Sequence, residues 1–175
     1  PAEGGGTLPI ANPYYQGNAW FVNDIAFVNN ADEEIDALGK IDLHNQAVAD
    51  KQFAPLLAGF SVTPKDSASS IWLESYDSNL FNYRVDAKKD ELAVFSEIYY
   101  PKGWQITIDE KPTTMLRANY TLCALPIPEG QHEIVFKFDP PSIKITDTIA
   151  YIALAIMLLT AIVTVWKEIK ADLRS

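Results

Sequence analysis

Residues Ile149–Trp166 read IAYIALAIMLLTAIVTVW, a run without one charged side chain. At about 1.5 Å of rise per residue the run makes a helix of about 27 Å, close to the roughly 30 Å hydrocarbon core of a bilayer. A core helix of a soluble domain rarely runs this far without a polar face, so the run predicts a membrane-spanning helix and the lipid bilayer as its partner. Lys144 and Asp147 bound it on one side, Lys167 and Glu168 on the other. Trp166 at one end and Tyr151 near the other suit the aromatic belts of a membrane–water interface. The tail sets Lys167, Lys170 and Arg174 against Glu168 and Asp172. That excess of basic residues predicts a cytoplasmic C-terminus, with everything before the span outside the membrane.

The part before the span is acidic. Taking the tail's three basic and two acidic residues from totals of 14 and 23 leaves a balance of −10. Such a balance disfavours nucleic acid and direct adhesion to anionic lipid. The 175 residues leave room for one domain with a sizeable core before the span. Cys123 is the one cysteine, so no intrachain disulfide forms and the domain relies on its core. In the apolar alternation Leu122-Cys123-Ala124-Leu125 the thiol reads as a small buried hydrophobe, not as a nucleophile. The chain opens at Pro1 without an initiator Met or a signal-peptide pattern. An outside domain needs something to deliver it, so the expectation is the C-terminal part of a longer protein with earlier spans.

Residues 1–18 read as a loop or arm with the triplet Gly4-Gly5-Gly6. Residues 19–142 read as the outside domain, 143–167 as the membrane helix and 168–175 as the tail. Ala19 to Asn29 holds one or two short strands. Ala31–Leu38 (ADEEIDAL) reads as a short helix capped by Asn30, stopped by Gly39, with Asp32, Glu33 and Glu34 favouring its positive end. Helix electrostatics therefore explains the acidic run better than metal binding. Ala54 to Ser69 is irregular. From Ser70 the period becomes two: Ile71–Tyr76, Leu80–Val85, Leu92–Tyr100, Trp104–Ile108, Thr113–Ala118, Thr121–Ile127 and Glu133–Phe138 read as strands, with Leu92–Tyr100 central. Turns fall at Asp77-Ser78-Asn79, Asp109-Glu110-Lys111-Pro112 and Pro128-Glu129-Gly130, and Pro140-Pro141 leads into the span. Strands at about ten-residue spacing predict a mainly β fold, an antiparallel β-sandwich of jelly-roll or immunoglobulin-like type, with one short helix and one membrane helix.

Signals for chemistry are sparse. Gly4-Gly5-Gly6 lacks the helix and Lys of a phosphate loop. His44 and His132 have no partners at metal-ligand spacing, so no metal or cofactor is expected. No Gly-x-Ser-x-Gly elbow occurs. Asn119-Tyr120-Thr121 matches a glycosylation sequon, a pattern common by chance. The densest polar-aromatic segment is Ser96–Trp104 (SEIYYPKGW). Glu97 beside Tyr99, Tyr100 and Trp104 has the chemistry of a sugar site: ring faces stack on pyranose C–H surfaces while a carboxylate accepts hydroxyl bonds. The bland alternative puts the same rings in the core or at its rim. Arg117, Asn119 and Tyr120 lie across the following hairpin, where Arg117 has the option of pairing with Glu97.

Phe95–Trp104, Ile108–Lys111, Arg117–Ala124 and Ile127–Pro140 follow the patterns F-S-E-x-Y-Y-P-x-G-W, I-D-G-K, R-x-N-Y-x-L-R-A and I-P-x-G-x-H-x-I-x-F-x-F-x-P. In this the stretch Ala93–Ser142 resembles the C-terminal outside region of YfhO-family bacterial membrane proteins, and Gly17–Leu38 is similar to that family's lead into it. Two positions depart: Glu110 stands where Gly is usual, implying a different turn type, and Cys123 stands where Arg is common, implying a lost charge contact. The resemblance implies a multi-spanning protein of the GT-C type that moves sugars from polyprenyl-phosphate donors onto cell-surface polymers. Its catalytic carboxylate would lie in an early outside loop, so no catalytic residue is assigned to this chain. The resemblance also implies a bacterial cytoplasmic (inner) membrane, upstream membrane helices as partners, and a glycan or polyprenyl-linked sugar near Glu97, Tyr99, Tyr100, Trp104, Arg117 and Tyr120. Two rivals stay open: an anchored carbohydrate-binding module, and a structural or assembly domain without a ligand.

Overall fold

The structure, a computed structural model, describes Asn12 and residues 15–173, with the backbone alone for Glu168, Ala171 and Asp172. The expected Gly4-Gly5-Gly6 arm and Arg174 of the tail lie outside the described residues. In chain order the strands are β1 (Ala19–Val22), β2 (Asp24–Val28), β3 (Gln46–Asp50), β4 (Ser70–Asp77), β5 (Leu80–Ala87), β6 (Glu91–Ile98), β7 (Trp104–Ile108), β8 (Lys111–Thr113), β9 (Leu116–Ala118), β10 (Leu122–Ile127) and β11 (Gly130–Phe138). Helix α1 (Ala31–Leu38) follows β2, and helix α2 (Pro141–Asp172) follows β11.

Two antiparallel sheets form the sandwich, one ordered β1-β6-β10-β9 and the other β4-β5-β11-β7-β8. Their facing sides enclose Tyr83, Phe95, Cys123, Leu125, Ile134 and Phe136. On β5 the side chains alternate, and the outward ones meet solvent. On β6 they do not: Leu92, Ala93, Val94 and Phe95 are all fully buried. A strand buried on both faces reads as a continuous apolar run, and LAVF is that run. Its second face is covered by a further layer made of β2, α1, β3 and the 3-10 helix Lys51–Leu57. In that layer β2 and β3 pair in parallel, joined through α1. Parallel strands need such a crossover, and a helix is the usual one.

Local chemistry explains the elements. The Asn30 side chain accepts the Glu33 N–H at 3.0 Å, and the Glu33 carboxylate reaches back to the Asn29 N–H at 2.9 Å. The first fills a backbone donor that the start of α1 leaves open, and the second ties the residue before the cap to the first turn. Gly39 does end α1, but with φ −75, so its left-handed freedom goes unused. The expected single strand Thr113–Ala118 is two strands: β8 pairs with β7, β9 pairs with β10, and Thr114-Met115 carries the chain from one sheet to the other. β3, not foreseen, is short and takes its partner from across α1. At the hairpin, Asp109 and Glu110 have φ 50 and 65 while Ile108 pairs with Lys111. The turn is therefore the doubly left-handed kind that Gly favours, and the strands on either side impose that geometry on Glu.

Both ends of the sandwich's chain lie at one rim. β11 finishes at Phe138 opposite Trp104, and only Asp139 and Pro140 separate it from α2. The Trp104 indole N–H donates to the Ile98 carbonyl at 3.0 Å, which brings the end of β6 to the same rim. Leu122 and Ala118 follow by register. The chain arrives there too, since the Asn18 carbonyl accepts the Ser96 N–H at 2.8 Å. α2 opens with Pro141, a position where the missing N–H costs nothing. Pro141–Lys167 contains an 18-residue window of mean hydropathy 2.4, long and apolar enough to cross a membrane, and no part of that window is buried against the rest of the chain. The Thr160 and Thr164 hydroxyls donate to the Met157 and Ala161 carbonyls, each at 2.8 Å, so no polar group is left open to lipid there.

Glu110→Gly is expected to stabilise the sandwich by about 1 kcal/mol. It removes a left-handed side chain costing about 1–2 kcal/mol, less the added chain entropy of Gly, about 0.5–1 kcal/mol. Denaturant unfolding of the two chains measures the difference.

Candidate functional site

The six residues singled out from the sequence gather at the rim from which α2 leaves, and they divide by what they touch. Trp104 is half-buried, edge-on to Phe81, Phe136 and Phe138 at 5.8, 5.9 and 4.9 Å between ring centres, with its N–H already used. Tyr100 is 45 % exposed and leans on Phe138. Gly103 lies beneath both rings, where a Cβ would overlap Phe138 and Tyr100. The segment Tyr99–Trp104 thus closes the end of the core. A small cavity of about 150 Å³ remains between Tyr99, Trp104, Thr113 and Met115.

Glu97 is half-buried, and the Tyr83 hydroxyl donates to its Oε1 at 3.2 Å. Desolvation raises its pKa above the ordinary 4.5, and the Tyr83 hydrogen bond opposes that only in part. The same burial raises the Tyr83 hydroxyl, with the Glu97 charge adding to it. The Cys123 thiol is pushed up to about 12, first by burial and then by the Glu97 charge. Its Sγ contacts Met115 Sδ at 3.3 Å. A thiol so placed is inert, as the apolar alternation implied.

The expected Arg117–Glu97 pair is absent. Arg117 Nη2 donates instead to Glu34 Oε2 at 2.8 Å, and the Tyr120 backbone N–H donates to Glu34 Oε1 at 2.7 Å. Glu34 is fully buried, so it is the carboxylate for which an unpaired charge costs most, and Glu97 makes do with a hydroxyl. The guanidinium lies 5.6 Å from the Phe53 ring centre and 5.7 Å from that of Tyr120, and Phe53 meets Tyr99 edge-on at 5.5 Å. The turn that carries Tyr120 is left-handed at Asn119 and Tyr120, φ 49 and 71. Asn119 is buried; its Oδ1 accepts the Val48 N–H at 3.0 Å and its own N–H donates to the Val48 carbonyl at 2.7 Å. A glycan on that sequon would break the link to β3. The acidic run at α1 hid the role of Glu34. The available signal was its place on one helix face with Ala31 and Leu38, a polar residue in an apolar stripe.

A second surface had no sequence signal. On the outer side of the five-stranded sheet a depression of about 540 Å³ is lined by Trp72, Glu74, Arg84, Asp86, Gln131 and Glu133. Trp72 is half exposed, and Arg84 bridges Glu74 at 2.8 Å and Glu133 at 3.3 Å. At the rim opposite α2, His132 Nδ1 meets Asp109 Oδ2 at 2.7 Å, a contact that with the Glu133 N–H holds the Asp109 carboxyl below its ordinary pKa. No cluster of metal-ligating side chains occurs among the described residues.

Fold and site together define a β-sandwich carried on an apolar, membrane-crossing helix. Residues 64–150 match the family model described as bacterial membrane protein YfhO. Over that segment, which runs from before β4 into α2, the chain belongs to the YfhO family, as the motif resemblance anticipated. No curated protein and no solved structure matches it.

Arg117→Met is expected to cost about 3–5 kcal/mol by stranding the buried Glu34 carboxylate, with most of it recovered in the Glu34→Gln/Arg117→Met double variant. Urea unfolding of the four chains of the cycle checks this. For Glu97 the folded pKa is raised, so the native state holds the proton more tightly than the unfolded chain. Its contribution is complete below about 4.5 and is lost as pH rises through the folded value. Glu97→Gln should therefore be more stable than the parent at neutral pH and equal to it in acid, read from stability against pH.

Proposed function

We propose that this chain is an extracytoplasmic module of a multi-spanning, GT-C-like membrane glycosyltransferase, which uses a polyprenyl-phosphate sugar donor and acts on cell-surface polymers. The module is accessory: it shapes the acceptor-side cleft while the catalytic carboxylate lies elsewhere in the protein. α2 crosses the bacterial cytoplasmic membrane, with the sandwich outside and the basic tail inside. The observation that carries this reading is the gathering of Glu97, Tyr99, Tyr100, Trp104, Arg117 and Tyr120 at the rim nearest α2. A polyprenyl-linked sugar presents its sugar at the membrane surface, the level that this rim faces. Exposed Tyr100 and Tyr120 supply ring faces and hydroxyls there, and Phe53, Tyr99 and the Glu34–Arg117 pair hold Tyr120 in position. Family likeness supports the chemistry by analogy, since a fold does not fix a function.

The test is made in the full-length protein in cells. Tyr100→Ala and Tyr120→Ala should leave the protein folded and inserted but lower cell-surface glycosylation at least several-fold. Unchanged glycosylation in both variants contradicts the site.

A second reading, an anchored carbohydrate-binding module, draws support from the Trp72 depression. It has one exposed indole for stacking and a ring of groups able to bond hydroxyls, with Arg84 neutralised by its two carboxylates. Under that reading Trp72→Ala, and not Tyr100→Ala, weakens retention of the protein on isolated cell-wall glycan.

A further inference from the structure

The two rims of the sandwich differ in what they expose. Among the described residues, the large apolar side chains that the two sheets and their turns leave exposed are Trp72, Tyr76, Ile98, Tyr100 and Tyr120. Apart from Trp72, which sits mid-strand on the outer face, all of these stand at the α2 rim. Tyr76 is 75 % exposed and pairs with Phe81 beside the turn into β5, and Ile98, 68 % exposed, ends β6. Lys102 and Lys137 are exposed at the same rim. The opposite rim carries Lys88-Lys89-Asp90, Asp109-Glu110 and Pro128-Glu129, with no large apolar group exposed.

The helix sets the height of the α2 rim. Trp166, with Lys170 Nζ 4.8 Å from its ring centre, is an interfacial anchor at the far side. From there about 30 Å of hydrocarbon is about 20 residues of helix and reaches Thr146. The interfacial layer adds roughly 5–8 Å, or about 3–5 residues, and reaches Pro141–Ile143. β11 ends at Phe138, so the rim meets the outer edge of the headgroup layer, and tyrosine side chains at the rim reach into it. The tether leaves little freedom: Asp139 donates no slack, since its N–H bonds to the Gly103 carbonyl at 2.9 Å and its carboxylate bonds Lys144 of α2 at 2.9 Å.

We infer that the α2 rim is a lipid-contact surface, on which Tyr76, Ile98 and Tyr100 lie among the headgroups while Lys102 and Lys137 meet the phosphates. Aromatic and basic residues are the types that settle at this depth. The sandwich then stands upright on the bilayer instead of swinging from its helix. The inference rests on the membrane span and not on sugar chemistry.

The test uses the full chain in bilayer nanodiscs of phosphatidylethanolamine and phosphatidylglycerol. Spin labels are placed at Tyr76→Cys and Ile98→Cys on the α2 rim and at Lys88→Cys and Glu129→Cys on the opposite rim. All four are exposed positions, so folding is retained, and the parent chain with its buried Cys123 measures background labelling. Accessibility to a water-soluble nickel relaxant should be several-fold lower at 76 and 98 than at 88 and 129, with accessibility to oxygen raised. Equal nickel accessibility at all four overturns the inference. A rim clear of lipid, with glycosylation lost in the tyrosine variants, leaves the transferase reading standing; a lipid-embedded rim with unaltered glycosylation removes that reading and keeps this one.

Discussion

Strand β6 sets the architecture. Leu92, Ala93, Val94 and Phe95 are all fully buried, so both faces of the sheet that holds them need cover. The five-stranded sheet covers one face through Tyr83, Ile134 and Phe136, and the β2–α1–β3 layer covers the other through Ala47, Ala49 and Leu57. Small alanines let the parallel pair approach closely. What fixes that layer in place is polar: Glu34 on α1 takes Arg117 and the Tyr120 N–H from the β9–β10 turn, and Val48 on β3 exchanges bonds with Asn119 of the same turn. Removing one partner of a pair this buried strands the other's charge, so the Glu34–Arg117 pair favours a single docking of the layer.

That closure has a consequence at the membrane. Antiparallel pairing throughout both sheets sends the chain back and forth between two rims, and the strand count returns it to the rim where it arrived. The last strand therefore hands over to α2 beside the place where the chain comes in at Asn18. A domain whose two chain ends share one rim is suited to insertion between membrane segments. The same rim holds the exposed tyrosines, so tethering, lipid contact and the proposed sugar surface follow from one topological fact.

Much of this was legible from residues. The alternation in Leu80–Val85, the unbroken apolar run at Leu92–Phe95, the Asn30 cap and the uncharged stretch Ile149–Trp166 are local signals, and local signals survive into the fold. Pairings decided at a distance did not show. Arg117 and Glu34 stand 83 residues apart, and an acidic first turn is an ordinary helix signal that masked a buried partner. Thr113–Ala118 reads as one strand because the change of sheet at Thr114-Met115 depends on β7 and β10, not on its own sequence. The left-handed Glu110 is likewise set by the strands flanking it. The six candidate residues were found by composition and lie at one rim, but Trp104 and Glu97 turn inward, which only the neighbours Phe81, Phe138 and Tyr83 determine.

The central claim is that the sandwich stands outside the cell membrane on α2. The most direct measurement labels single cysteines in intact bacteria with a membrane-impermeant maleimide, one at Glu129→Cys on the rim away from α2 and one at Lys170→Cys in the tail. The account predicts that the first reacts in intact cells and the second only after permeabilisation. The reverse pattern, or equal reaction of both in intact cells, contradicts it.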